Sequence, residues 1–335
     1  MSKDSTFGVG IIGMGSIGKT HATAIGEAKG VTLVGTTGGQ PVDGVTRYDD
    51  IAGLLAAPDV DVVAICSPSE LHAEHALAAI AAGKHVMIEK PVATTVADGQ
   101  RIVDAAKSAG VVVGVVSQRR LEPQHVHLKK CLDEGLLGRP VLGEALVRWH
   151  RDADYYAAAD WRRVAPGGGS MMNQGLHSVD LLTWLFGDVV EVSALADTLV
   201  ADSQAEDTSV AAVRFANGAL GSIVTSTATA PGLPAELNLY FTKGLVGIHH
   251  TDVVRWEFDG VDAPPEQSAV DSGAASPIIG AEGHLTQWND LTEAITTGRP
   301  PMVTVADGVR TVALIEAVYD SAARQQAVRP ATVHP

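Results

Sequence analysis

The chain has 335 residues, long enough for about two domains that each bury a core. Hydrophobic residues make up 46% and charged residues 19%, which excludes a disordered chain. Against 24 Lys+Arg stand 39 Asp+Glu, a net charge of −15. Neither nucleic acid nor a membrane is therefore expected as partner, although backbone amides and one lysine can still hold a small anion.

Residues 7–120 alternate short apolar runs with amphipathic stretches. FGVGII (7–12), VTLVGTT (31–37), VDVVAIC (60–66), HVMIEK (85–90) and VVVGVV (111–116) have strand length. SIGKTHATAIGEAK, DDIAGLLAA, ELHAEHALAAIAAG and TVADGQRIVDAAKSAG lie between them, with Gly83 and Gly110 placed as helix C-caps. Continuous apolar strands in repeated βα units imply a parallel sheet covered on both faces. Residues 1–122 therefore read as a doubly wound α/β Rossmann domain.

Residues 123–335 read as a second, α+β domain. After a helical stretch at 122–137, alternating runs follow at 141–149, 189–196, 209–215, 219–227, 236–242, 245–250 and 253–258. Asn217-Gly218 and Lys243-Gly244 occupy hairpin-turn positions, which favours a mainly antiparallel sheet. Helical patterns return at 283–297 and 307–324, and the Pro-, Gly- and Ser-rich stretch 259–281 reads as a loop. Cys66 and Cys131 read as buried thiols, so a reducing, cytoplasmic setting is expected. The segment MSKDSTFGVG lacks the layout of a signal peptide, and no apolar run is long enough to span a bilayer.

Gly13, Gly15 and Gly18, with Ser16 and Ile17 among them, join the first strand to the first helix. Glycines there permit a tight turn and close approach of backbone amides to a pyrophosphate at the helix N-terminus. The second strand should end in an Asp or Glu for a ribose 2′-hydroxyl, but reads Thr36-Thr37-Gly38-Gly39-Gln40. No carboxylate selects NAD and no adjacent Arg selects NADP. Threonine hydroxyls and glycine amides can accept a 2′-phosphate, which tips the NAD(P) balance slightly to NADP. The stretch from Gly38 to Tyr48 is too short for a normal helix.

In HVMIEKP (85–91) an apolar strand ends in Glu89 and Lys90 before Pro91, where ligands of open α/β sheets bind. A bare Glu-Lys pair is more often a strand-end salt bridge. A second constellation, GGGSMMNQGLHSVD (167–180), changes that balance. Asn173 and His177 are four residues apart on an otherwise apolar helix running to Gly187, with Asp180 on nearly the same face. Polar groups in one stripe of a buried helix call for partners.

Together, GIIGMGSIG, Glu89-Lys90-Pro91, WR at 161–162 and GGGSMMNQGLHSVDLLTWLFG resemble the Gfo/Idh/MocA oxidoreductases over essentially the whole chain. The resemblance implies a Rossmann domain followed by an open-faced sheet that also serves oligomerisation, as a homodimer or homotetramer. It implies a sugar, inositol or related polyol bound between the domains. Lys90 and His177 match the family's catalytic lysine and histidine. Asn173 stands where many members carry Asp, so a proton path through His177 and Lys90 without a carboxylate is expected. Tyr155, Tyr156, Trp161, Arg162 and, more weakly, His284 are expected to border the substrate. Ser67, Pro68, His72, Glu89, Lys90 and Gln118 complete the expected cofactor contacts.

The implied activity is hydride exchange between NAD(P) and a secondary hydroxyl or ketone. His177 takes the hydroxyl proton, Lys90 stabilises the developing alkoxide, and Glu89 positions Lys90. Two alternatives remain: redox-neutral glycoside cleavage and a non-catalytic sensor of dinucleotide or sugar. Gln118-Arg119-Arg120 faces either substrate or a salt bridge. The pairs His72/His75, His125/His127 and His249/His250 lack metal-ligand spacing, so no metal is expected.

Overall fold

The computed structural model describes residues 6–265 and 281–335. In chain order its first elements are β1 (Phe7–Met14), α1 (Ser16–Glu27), β2 (Val31–Gly39), β3 (Thr46–Tyr48), α2 (Ile51–Ala56), β4 (Val62–Ile65), α3 (His72–Ala81), β5 (His85–Ile88), α4 (Val96–Ala109) and β6 (Val113–Val115). Then come α5 (Pro123–Asp133), β7 (Pro140–Arg148), α6 (Ala153–Ala157), a π-helical turn at Ser170–Gly175, and α7 (Leu176–Phe186). The strands β8 (Val189–Asp197), β9 (Thr208–Phe215), β10 (Leu220–Ser226), β11 (Glu236–Phe241), β12 (Gly244–His249) and β13 (Asp252–Phe258) follow. Helices α8 (Glu282–Thr297) and α9 (Val305–Arg324) close the chain. Most of the expected 259–281 loop, at 266–280, lies outside the described residues.

The chain divides into two compact units, Met1–Gln118 with Ile279–Val309 and Val333–Pro335, and Arg119–Ile278 with Arg310–Thr332. The sequence puts one boundary at 122/123, whereas the chain crosses at Gln118/Arg119 and later sends α8 back to the first unit. The reason is packing: Trp288 and Leu291 of α8 are buried in one cluster with Val9, Ile11, Met14 and Ile25. Period-3.6 patterning marks α8 as amphipathic but does not name the core its apolar face enters.

The first unit holds a six-stranded parallel sheet in the order β3-β2-β1-β4-β5-β6. The order reverses between β1 and β4, which opens the crevice at the carboxyl ends of those strands. Every residue of β4 is buried, as a strand covered on both faces requires. Helix ends follow local chemistry. Asp50 caps α2 through the Gly53 amide at 2.7 Å, Thr95 caps α4 through the Asp98 amide at 3.1 Å, and Gly110 ends α4 in the left-handed region. No helix spans Gly38 to Tyr48; short β3 pairs with β2 instead.

The second unit holds a seven-stranded sheet, β13-β12-β11-β7-β10-β9-β8. All neighbours are antiparallel except β7 and β10, which the α6–α7 crossover makes parallel. The inward face carries Ala145, Val213, Ile223 and Leu239, covered by α7. Phe186 of α7 packs edge-on against Phe215 and Phe241, at 5.3 and 5.6 Å between ring centroids. Residues on the other face alternate to the outside, Leu195 and Val210 among them. Among the described residues no helix is long and apolar enough to cross a membrane.

Candidate active site

Two places in the chain carry chemistry, one in each unit. In the first unit, Gly13, next to last in β1, has φ +99° and Cys66 O 2.6 Å from where a Cβ would stand. Only glycine meets both demands. Gly15 is the N-cap of α1, no side chain caps the helix, and its first turn holds no acid. The amides of Ser16, Ile17 and Gly18 thus lead a helix N-terminus open to an anion, and a Cβ at Gly15 would meet nothing within 4 Å. This turn fits a dinucleotide pyrophosphate. At the end of β2, Thr36 and Thr37 are buried while Gly38 to Gln40 are exposed, and Arg47 of β3 stands in register beside Thr36.

Beyond β5, the Glu89 side chain turns inward. His21 and His284 both lie against its Oε1, at 3.0 and 3.1 Å, and the Lys90 backbone amide donates to Oε2 at 3.0 Å. The Trp288 indole N–H donates to His21 Nδ1 at 3.1 Å. Because indole is only a donor, His21 must carry its proton on Nε2 and donate it to Glu89. Burial pushes the Glu89 carboxyl up, but the two histidine hydrogen bonds outweigh it and hold the group well below the usual carboxylate range. Burial likewise pulls Lys90 below the ordinary lysine value, opposed by the Glu89 charge. The Lys90–Pro91 peptide, on which the sequence leaves both isomers open, is cis.

His21, Glu89 and His284 bring three ligand-type atoms within 4.8 Å of one another. The tautomer argues against a metal there: an ion would need the Nε2 lone pair that the Trp288 bond converts into an N–H.

In the second unit, the glycine-rich stretch serves close packing. A Cβ on Gly169 would stand 1.9 Å from Glu206 Oε2. The same carboxylate takes the Met171 amide at 2.8 Å and the Ser170 and Tyr319 hydroxyls at 3.2 Å each, so it binds the start of the π turn. Burial raises Glu206 to about 7 against these bonds. Asn173 and Gln174 donate to the Tyr155 hydroxyl at 3.0 and 2.7 Å. Arg162 stacks 4.2 Å over the Tyr155 ring, with Trp161 beside it, and its guanidinium also donates to the Tyr155 carbonyl at 2.7 Å. His177 is half-buried in the first turn of α7.

Several expectations change. Asn173 lies in a π turn, which breaks the 3.6-residue period behind the Asn173/His177 row; π turns favour functional sites. Asp180, three residues after His177 in α7, is buried in a two-pronged ion pair with Arg120 at 2.6 and 2.8 Å and accepts from Thr311 at 2.9 Å. Arg120 is thereby a salt bridge rather than a substrate contact.

Of the two tyrosines expected at the substrate, Tyr156 is buried with its hydroxyl 2.8 Å from that of Thr227, while Tyr155 meets Asn173. His284, expected there too, is buried against Glu89. Glu89 and His72, expected as cofactor contacts, are buried with their polar atoms bonded within the protein. Both Glu89 oxygens are taken, and the His72 nitrogens face Pro91 O and Ser67 O at 2.6 and 2.8 Å. Ser67 follows β4 with its hydroxyl 2.9 Å from His75, Pro68 is exposed, and Gln118 packs against Gly283. Glu206, His21 and Arg47 are not legible in the sequence. Only His21, eight residues after Gly13 on the buried face of α1, leaves a periodic signal.

The model of an oxidoreductase family with an NAD-binding Rossmann fold matches residues 7–117, and that of the GFO/IDH/MocA C-terminal domain matches 125–247. Myo-inositol 2-dehydrogenase of Thermotoga maritima is 27% identical, covering 96% of this chain and 98% of its own. The uncharacterized oxidoreductase YrbE of Bacillus subtilis is 30% identical over 70% of this chain and 71% of its own. Among solved structures, the WlbA dehydrogenase of Bordetella pertussis, in complex with NADH and UDP-GlcNAcA, superposes with a TM-score of 0.87 at 31% identity, covering 98% of this chain and all of that one. The open turn after β1, the Glu89–Lys90 turn after β5 and the glycine-led helix carrying His177 thus belong to a member of the Gfo/Idh/MocA family of oxidoreductases.

Proposed function

We propose that the chain is an NAD(P)-dependent dehydrogenase or reductase acting on a secondary hydroxyl of a sugar, inositol or related polyol. The observation that carries the reading is the Glu89–Lys90 turn, at the carboxyl end of β5 in a sheet whose β1 turn fits a dinucleotide. The relatives named for inositol and for a nucleotide-sugar complex support the substrate class. The nicotinamide, when bound, supplies the hydride acceptor or donor. Lys90, its backbone held by Glu89, offers an ammonium to the substrate oxygen as charge develops there. His177 takes the hydroxyl proton, and Asn173, Tyr155 and Arg162 orient the hydroxyl-bearing ligand. For the nucleotide, the absence of a carboxylate at Thr36–Gln40 and the presence of Arg47 favour acceptance of NADP beside NAD.

The test is an absorbance screen with both dinucleotides against sugars, inositols and keto-sugars, run on wild type, Lys90→Ala and His177→Ala. Each variant should lose about 10²- to 10⁴-fold in turnover while still binding dinucleotide. Wild-type rates in both variants would remove the catalytic assignment.

We further propose that the outer face of the seven-stranded sheet pairs with a second copy of the chain. Leu195, Val210, Val224 and Leu146 lie in register across β8, β9, β10 and β7, and Leu195 is 73% exposed.

A further inference from the structure

Three elements far apart in sequence converge on one carboxylate. Helix α1, which begins at the glycine turn, supplies His21 from its second turn; α8 supplies His284 and Trp288; β5 runs into Glu89 itself. Glu89 Oε1 receives both histidines, leaving Oε2 for the Lys90 backbone amide. We propose that His21 and His284 are positioning residues for Lys90, acting through the Glu89 carboxylate that they hold in place, with Trp288 fixing the His21 tautomer. Neither histidine touches substrate or cofactor in this role, which rests on the reading of Lys90 as the residue that meets the substrate oxygen.

Packing alone does not account for the cluster. Buried ionic groups of this kind can often be replaced by apolar side chains at no loss of stability. A core that needed only to be filled would have no use for a carboxylate with two imidazole donors 1% exposed. His284 also keeps a costly arrangement, since its Nδ1 has no hydrogen-bond partner among the described residues. What the cluster does hold is the orientation of Glu89, and through Oε2 the backbone of the next residue.

The consequence is a charge state with a sign. Burial favours the neutral carboxylic acid, and the histidine N–H groups reverse that preference. Taking one donor away raises the Glu89 pKa, so the acid form appears as pH falls, and without its charge the carboxyl holds the Lys90 amide more weakly. The other titratable groups around Glu89 are Lys90, Cys66 after β4 and His72 of α3. Burial keeps the Cys66 thiol neutral and lowers the pKa of His72, so neither replaces the missing donor.

Difference infrared spectroscopy between pH 5 and 8 reads this without any substrate, by following the C=O stretch of a neutral carboxylic acid. Wild type should show no such band that Glu89→Gln removes. The variant His284→Leu should show one, abolished in the double variant with Glu89→Gln, and its turnover should gain a new loss on the acid side. His284→Gln, whose amide N–H can stand in for Nε2, should restore the wild-type spectrum and pH profile. Far-ultraviolet circular dichroism, equal in all variants, reports that each has folded. A folded His284→Leu protein with no Glu89 band and a wild-type pH profile overturns the proposal. If the band behaves as expected while Lys90→Ala keeps wild-type turnover, the histidine–carboxylate coupling stands and the catalytic reading of Lys90 falls.

Discussion

Asn173 is the residue whose chemistry is most open to measurement. An amide orients a neighbour but neither takes a proton nor adds charge, and here it donates to the Tyr155 hydroxyl. Replacing it with Asp puts a negative charge in the π turn, four residues before His177, which raises the imidazole pKa. A base must be neutral to accept a proton, so the acidic limb of kcat/KM should move to higher pH in Asn173→Asp. An unchanged limb would leave residue 173 with orientation alone. The substitution also forces the Tyr155 hydroxyl to turn donor toward position 173, so Tyr155→Phe should blunt the shift. Lys90, Asn173 and His177 are visible in the sequence because each is a polar group at a strand end or in an apolar helix. Tyr155 and Tyr156 are legible only as a pair: nothing local distinguishes them, and only the fold shows which hydroxyl meets Thr227 and which meets the π turn.

At the scale of elements, the start of the π turn is tied to a group that titrates near neutrality. Glu206 is raised from 4.5 to about 7 in the folded chain, chiefly by burial. The folded state therefore holds its proton more tightly, giving a stability contribution present below about pH 4.5 and lost as pH rises through 7. The variant Glu206→Gln should be the more stable above pH 7, by roughly 3 kcal/mol at most, with the difference vanishing in acid. Urea unfolding at pH 5 and pH 8 reads the sign directly. A second anchor behaves oppositely: breaking the buried Arg120–Asp180 pair by Arg120→Met should cost about 3–5 kcal/mol, because an uncompensated carboxylate is left behind. Strands and helices in both units follow from period-2 and period-3.6 patterning, whose cause is local and therefore written in sequence. The π turn is not, since its six residues owe their shape to Glu206, Thr225 and Tyr155 rather than to their own preferences.

For the molecule as a whole, the outer face of the seven-stranded sheet predicts assembly. The double variant Leu195→Glu/Val210→Glu should lower the mass seen by sedimentation, at unchanged dinucleotide affinity; an unaltered mass would leave that face as ordinary surface. The sequence by itself determined two domain types, the glycine turn after β1, the strand-end lysine and the glycine-led helix. These depend on spacing between near neighbours: a strand before a turn, a glycine where no Cβ fits, a polar group every helical turn. Only the tertiary structure decided that α8 joins the first unit, that Glu89 answers to His21 and His284, and that Asp180 belongs to Arg120. Those partners lie 68, 195 and 60 residues apart. At such separations the pairing is set by which core buries each helix face, and neither propensity nor periodicity carries that information.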